Sequence, residues 1–136
     1  MSTLTSGIST SALHEQVLNQ IAQRWVRTGS CKVAIRPAGD AGGWPQFRQV
    51  SPDLVGWQYS DGRQHLEWIA EVETKESLGG DPPDSRWRTE ATLGLPFFLF
   101  VPRGCRGEAQ ELAMRAGVKL NGIYEYSFIN DMFQLL

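Results

Sequence analysis

Cysteine is nearly absent: Cys31 and Cys105 are the only two, far apart in the chain. Two are too few for a disulfide framework or a cysteine-based zinc site, so free thiols in a reducing compartment are expected. Charge of either sign is not in excess. Thirteen Lys and Arg against fifteen Asp and Glu leave a net charge of -2, which argues against a tight, non-specific nucleic-acid binder and requires any basic surface to be local. Long apolar runs are missing too. The longest, Leu95 to Val101, is the size of a strand and far short of a membrane span. Met1 to Thr10 has no basic segment followed by an apolar run, so no signal peptide is expected and the cytoplasm is the expected location. The two histidines, His14 and His65, have no Ser or Cys partner in a recognisable frame, which leaves nucleophilic acyl transfer without support. The glycines of Pro37 to Pro45 do not bridge a strand and a helix, so they read as a flexible loop, with a flap beside a site as the functional alternative, and not as a dinucleotide fingerprint.

What is present suits one globular domain. The chain has 136 residues, 41% of them hydrophobic and 21% charged, enough to bury a core without staples. Residues 1–10 are Ser/Thr/Gly-rich and read as a flexible N-terminus, leaving 11–136 as the domain. Leu13, Val17 or Leu18, Ile21 and Trp25 recur at helical spacing after Ser11, predicting a helix from Ala12 to Arg27. Cys31 to Arg36 reads as a short strand, and residues 52–74 as a β-hairpin around Asp61-Gly62. After Lys75, the stretch Glu76 to Pro83 breaks regular structure. A helix from about Asp84 carries Trp87 and Ala91 inward, Leu95 to Val101 is a strand buried on both faces, and Gly107 to Ala116 is a further helix. Val118 to Phe128 is a last strand interrupted at Asn121-Gly122, and Asn130 to Leu136 is an apolar tail that packs down. The order is α-β-β-β-α-β-α-β, a mixed α/β sheet whose fourth strand arrives by a parallel crossover.

The hairpin carries acids on apolar arms: Asp53 at its start, Glu71 and Glu73 near its end. A carboxylate in a buried strand costs several kcal/mol unless paired, and three together repel, which a cation would cure. Glu71 and Glu73 are two apart and share a face, with Lys75 one step further. A two-residue loop at Asp61-Gly62 pairs position 53 with 70 and sends Asp53 to the opposite face; a three-residue loop ending in Gly62 pairs 53 with 69 and brings Asp53 diagonally beside Glu71. Both remain open, although a Gly after a type I turn suits the longer loop. Glu15 lies beside the stripe of the first helix, where it could reach a neighbouring site or simply favour the helix dipole.

Pro52-Asp53, a gap, and then an acid-x-acid or acid-x-basic tripeptide closing the next strand resembles the PD-(D/E)XK nuclease superfamily, which includes restriction endonucleases and Holliday-junction resolvases. The resemblance implies a restriction-endonuclease-like α-β-β-β-α-β core, matched in order by residues 12–101, with the final helix and strand as an extension. It implies Asp53 and Glu71 as metal ligands joined by the Val72 carbonyl, with Glu15 matching an acid that some members add. The catalytic set is then Asp53, Glu71 and a third position. Glu73 fills that position if the tripeptide is Glu71-Val72-Glu73, and Lys75 if it is Glu73-Thr74-Lys75. The first frame is preferred because Val72 sits between apolar neighbours, while Lys75 is followed by polar loop. The implied cofactor is Mg²⁺ or Mn²⁺, which would neutralise phosphate oxygens and acidify an attacking water. The implied partner is DNA, met through a local basic strip including Arg24, Arg27, Arg48 and Arg63, with Arg86 and Arg88 near the substrate. A homodimer or a partner protein would supply the remaining grip. The competing expectation is a nuclease-fold module that has lost catalysis and binds a protein or nucleic acid.

Overall fold

The computed structural model describes residues 10–28, 32–35, 51–79 and 83–136. Residues 1–9, expected as a flexible N-terminus, residues 37–45, expected as a loop, and Cys31 and Arg48 lie outside the described residues. Within them are four helices and six strands: α1 (Thr10–Thr28), β1 (Lys32–Ile35), β2 (Leu54–Ser60), β3 (Arg63–Val72), α2 (Lys75–Gly79), α3 (Asp84–Ala91), β4 (Phe97–Pro102), α4 (Arg106–Ala116), β5 (Gly122–Ile129) and β6 (Met132–Leu135). The strands lie side by side in chain order. β1–β2, β2–β3 and β5–β6 pair antiparallel, whereas β3–β4 and β4–β5 are parallel. Each parallel junction is bridged by helices, as it must be, because a parallel return needs a crossover.

The apolar pattern explains the layers. β4 reads Phe-Phe-Leu-Phe-Val-Pro and lies between two parallel neighbours, so side chains of both faces are buried. On one face Val17, Leu18, Ile21 and Ala22 of α1 pack on Leu54, Ala70, Val72, Phe100 and Tyr126. On the other, Trp87 of α3 and Ala109, Ala113 and Ala116 of α4 pack on Val55, Ile69, Leu99 and Val101. Trp25 fastens the C-terminal half of α1, meeting the rings of Trp68, Phe98, Phe100 and Tyr124 edge-on with centroids 4.8 to 5.8 Å away.

Two elements depart from the sequence-based expectation. α2 occupies the stretch after β3 where no regular structure is expected, because Thr74 and Ser77 cap it reciprocally: each main-chain N–H donates to the other's hydroxyl, at 2.8 and 3.2 Å. The apolar tail is a strand, β6, folded back on β5 by a tight turn at Asn130 and Asp131, both with positive φ.

The hairpin resolves the open question of register in an unexpected way. Asp61 and Gly62 both have positive φ (54° and 74°) and form a two-residue turn, pairing Ser60 with Arg63. That turn alone would send Asp53 and Glu71 to opposite faces. The register shifts between Gly56 and Trp57, however: Trp57 pairs with Leu66 but Gly56 with Trp68, leaving Glu67 as an extra residue in β3. Beyond the bulge Leu54 pairs with Ala70, so the next position, Asp53, stands opposite Glu71 on the same face. Trp68 is seated by Gly56, where an added Cβ would come within 2.1 Å of the indole. Gly56→Ala is therefore expected to lower stability by about 1–3 kcal/mol in urea unfolding, through overpacking at the bulge; an unchanged midpoint would show that the indole moves aside freely.

Candidate active site

The bulge delivers three acids to one cleft. It has a volume of about 450 Å³ and is lined by His14, Ser51, Asp53, Glu71, Val72, Glu73, Thr74, Ser77 and Arg86. Asp53, Glu71 and Glu73 are 7%, 2% and 1% exposed, so each needs donors in place of water. Main chain supplies the first. Val72 N–H donates to Asp53 Oδ2 at 2.8 Å, and Asp53 N–H donates to Glu71 Oε2 at 3.0 Å. These reciprocal bonds continue the β2–β3 ladder with side chains.

Helix α3 supplies the countercharge. Arg86 donates from Nε to Glu71 Oε1 at 2.8 Å and from Nη2 to Glu73 Oε2 at 2.6 Å. Glu73 Oε2 also accepts from the Trp87 indole N–H at 3.0 Å, and its Oε1 from the Ser77 hydroxyl at 2.6 Å. Tyr126 reaches from the other side of the sheet and donates to the Glu73 carbonyl at 2.9 Å; burial pushes its phenol above the ordinary range. Burial works against the Arg86 charge, but Glu71 and Glu73 outweigh it and hold the guanidinium more firmly protonated than usual.

One guanidinium does not balance the acids. Glu90, one turn beyond Arg86, is fully buried, and neither carboxylate oxygen meets an N–H or hydroxyl donor. It faces Glu71. Burial raises the Glu71 carboxyl well above its ordinary value, with further upward pushes from the charges of Asp53 and Glu90. Burial likewise raises Glu90, to about 7. Two acids so placed share a proton and titrate as a pair.

Helix α1 contributes His14. Its Nε2 lies 3.0 Å from Asp53 Oδ2 and 3.0 Å from the Val72 carbonyl oxygen. Both neighbours are acceptors, so Nε2 carries a proton and donates to them. These two oxygens, of a carboxylate and a peptide, therefore already converge on one electropositive point, and both are the hard donors that Mg²⁺ or Mn²⁺ prefers. The donor chemistry fits a divalent ion. In the arrangement seen, His14 and Arg86 hold the acids instead, and no group of three His, Cys, Asp or Glu among the described residues is spaced as a ready-made cage.

The sequence-predicted residues divide as follows. Asp53, Glu71, Val72 and Glu73 meet in the cleft; Lys75 begins α2, is exposed and is not among the lining residues. Glu15 is half-buried on α1 and also does not line the cleft, its neighbour His14 doing so. Of the proposed basic strip, Arg24 binds the Phe133 carbonyl at 2.8 Å and lies over that ring, tying α1 to β6. Arg63 sits at the hairpin turn, at the opposite end of the two strands from Asp53 and Glu71. Among the described residues, Arg86 is the arginine that lines the cleft. Sequence reasoning missed His14, Ser77, Trp87 and Glu90 as parts of the site. For His14 a signal existed, since it precedes Val17 and Leu18 at helical spacing on the buried stripe; for Glu90 the spacing from Trp87 gave the same hint.

The acid pair predicts a pH dependence. In metal-free protein Glu90 stays protonated to about 7, whereas the unfolded chain releases that proton near 4.5. The fold thus binds more protons between those values, and stability falls as pH rises through them. Glu90→Gln is expected to flatten this slope and to be more stable than the parent at pH 8 by roughly 3 kcal/mol. Parallel stability curves for parent and variant from pH 5 to 8 would contradict the pair. No family model, curated protein or solved structure matches the chain, and its functional reading stands on the residues and distances above.

Proposed function

We propose that this chain is a metal-dependent phosphodiesterase acting on nucleic acid, with DNA as the expected substrate, on a restriction-endonuclease-like core. The reading is carried by one observation: Asp53 and Glu71, from separate arms of the hairpin, meet in one cleft with Glu73 two residues further on. The element order α1-β1-β2-β3-α3-β4, with the short α2 inserted, agrees with the core that the PD-(D/E)XK resemblance implies.

Asp53, Glu71 and the Val72 carbonyl would hold the divalent ion, which when bound supplies charge neutralisation and an acidified water. The rest falls to the chain. Glu73 stands where the motif usually has lysine, and it is fully engaged by Ser77, Arg86 and Trp87. Its part is to hold Arg86. The missing positive charge is thereby restored by a guanidinium that is 47% exposed, whose fork suits a phosphate oxygen pair. His14 Nε2 keeps a proton against Asp53 Oδ2 and fixes that carboxylate's orientation.

A second reading, a nuclease-fold module without catalysis, is favoured by one feature: Arg86 already neutralises Glu71 and Glu73. Nicking of supercoiled plasmid in Mg²⁺ or Mn²⁺ separates the two. The enzyme reading expects nicking that requires the metal and falls at least about a hundredfold in Asp53→Ala and Glu71→Gln, since even partners of metal ligands are worth 10–100-fold. Arg86→Ala is expected to tighten Mn²⁺ binding by calorimetry, by removing a competing cation, while abolishing nicking. Parent protein that neither nicks nor binds either metal would leave only the module.

A further inference from the structure

Along β2, Asp53, Val55, Trp57 and Tyr59 alternate onto one face, the face of the cleft. Val55 is buried and Trp57 half-buried, but Tyr59 is 60% exposed. The two rings meet edge to face, with centroids 5.2 Å apart and planes at 78°. Lys32 of β1, the register partner of Trp57, places its ammonium 5.3 Å from the Trp57 centroid and 5.6 Å from that of Tyr59. On the other flank Tyr59 pairs with exposed Gln64. Among the described residues, the register positions around these rings thus carry a cation, a leucine (Leu66) and an amide, and the acid next along β2 is exposed Asp61 of the turn. Glu67, the nearest acid of β3, is the bulged residue and is hydrogen-bonded to Gln58.

An exposed tyrosine backed by a tryptophan, with one ammonium over both rings, combines a flat π-surface with a charge that meets phosphate. We propose that Lys32, Trp57 and Tyr59 form a subsite that stacks an unpaired base of a nucleic-acid strand, with Lys32 on the adjoining phosphate. It rests on the nucleic-acid reading of the cleft and narrows the substrate class. Base faces are hidden inside a duplex, so only a strand with a single-stranded segment can occupy it. Tyr59 lies six residues from Asp53, roughly 20 Å along the strand, so the unpaired segment is held at a distance from the bond to be cut.

The test is fluorescence anisotropy with the full-length chain in EDTA, which prevents cleavage, against a labelled thymidine 20-mer and a duplex of equal length. Tyr59→Ala is expected to weaken single-strand binding between about five- and a hundredfold, the range for loss of one stacked base. Tyr59→Phe keeps the ring and is expected to remain within about twofold of the parent, and neither change should alter duplex binding. Equal affinities of the Ala and Phe variants for the 20-mer, equal weakening on duplex, or no single-strand binding by the parent would each overturn the subsite. The plasmid assay keeps the two ideas apart. Nicking without Tyr59 dependence removes the subsite alone, whereas Tyr59-dependent binding without nicking removes catalysis and leaves the subsite standing.

Discussion

The reciprocal bonds between Asp53 and the end of β3 are what the site depends on. Val72 N–H to Asp53 and Asp53 N–H to Glu71 satisfy groups that the main-chain ladder leaves unpaired beyond Leu54 and Ala70. They also fix two carboxylates side by side, an arrangement that like charges resist. Geometry overrides repulsion here because each oxygen named receives a donor. The single extra residue at Glu67 makes that possible. Were Glu67 paired in regular register instead, the period of two along β3 would turn Glu71 to the α1 face, away from Asp53.

The acids then dictate their surroundings. Arg86 bridges two of them, Trp87 and Ser77 complete Glu73, and His14 completes Asp53. Glu90 meets no N–H or hydroxyl in the interior, and the proton of the Glu71–Glu90 pair is the remaining way to limit the buried charge. The centre is thus a polar network set into an apolar frame of Val55, Ile69, Leu99 and Trp87. Such a network contributes less to stability than a hydrophobic filling of the same volume would, so its presence points to use. Its place agrees: the cleft opens where parallel β3 ends, the edge at which α/β sheets commonly bind ligands.

Among the described residues no helix is long and apolar enough to cross a membrane. On the proposed function, the near-balanced charge would leave the grip on a polyanion to local groups. Arg86 in the cleft and Lys32 beside exposed Tyr59 lie on the same face of the sheet. Arg24, by contrast, serves the fold by binding β6.

The sequence by itself determined most of the elements, though not α2 or the strand form of β6. Helical spacing in α1, the double-sided apolar run of β4 and the turn at Asp61-Gly62 are local patterns, and local patterns survive translation into structure. It also named the acids of the hairpin, because charge on apolar arms is conspicuous wherever the strands lie. Only the tertiary structure decided which of them meet. β3 has apolar residues at Leu66, Trp68, Ile69 and Ala70, directed to both faces, so alternation could not reveal the bulge or the parity of Asp53. Partners from α1 and α3, His14, Arg86 and Glu90, are brought to β3 by helix packing across long sequence separations. A one-dimensional period records which way a side chain faces, but not what stands opposite it.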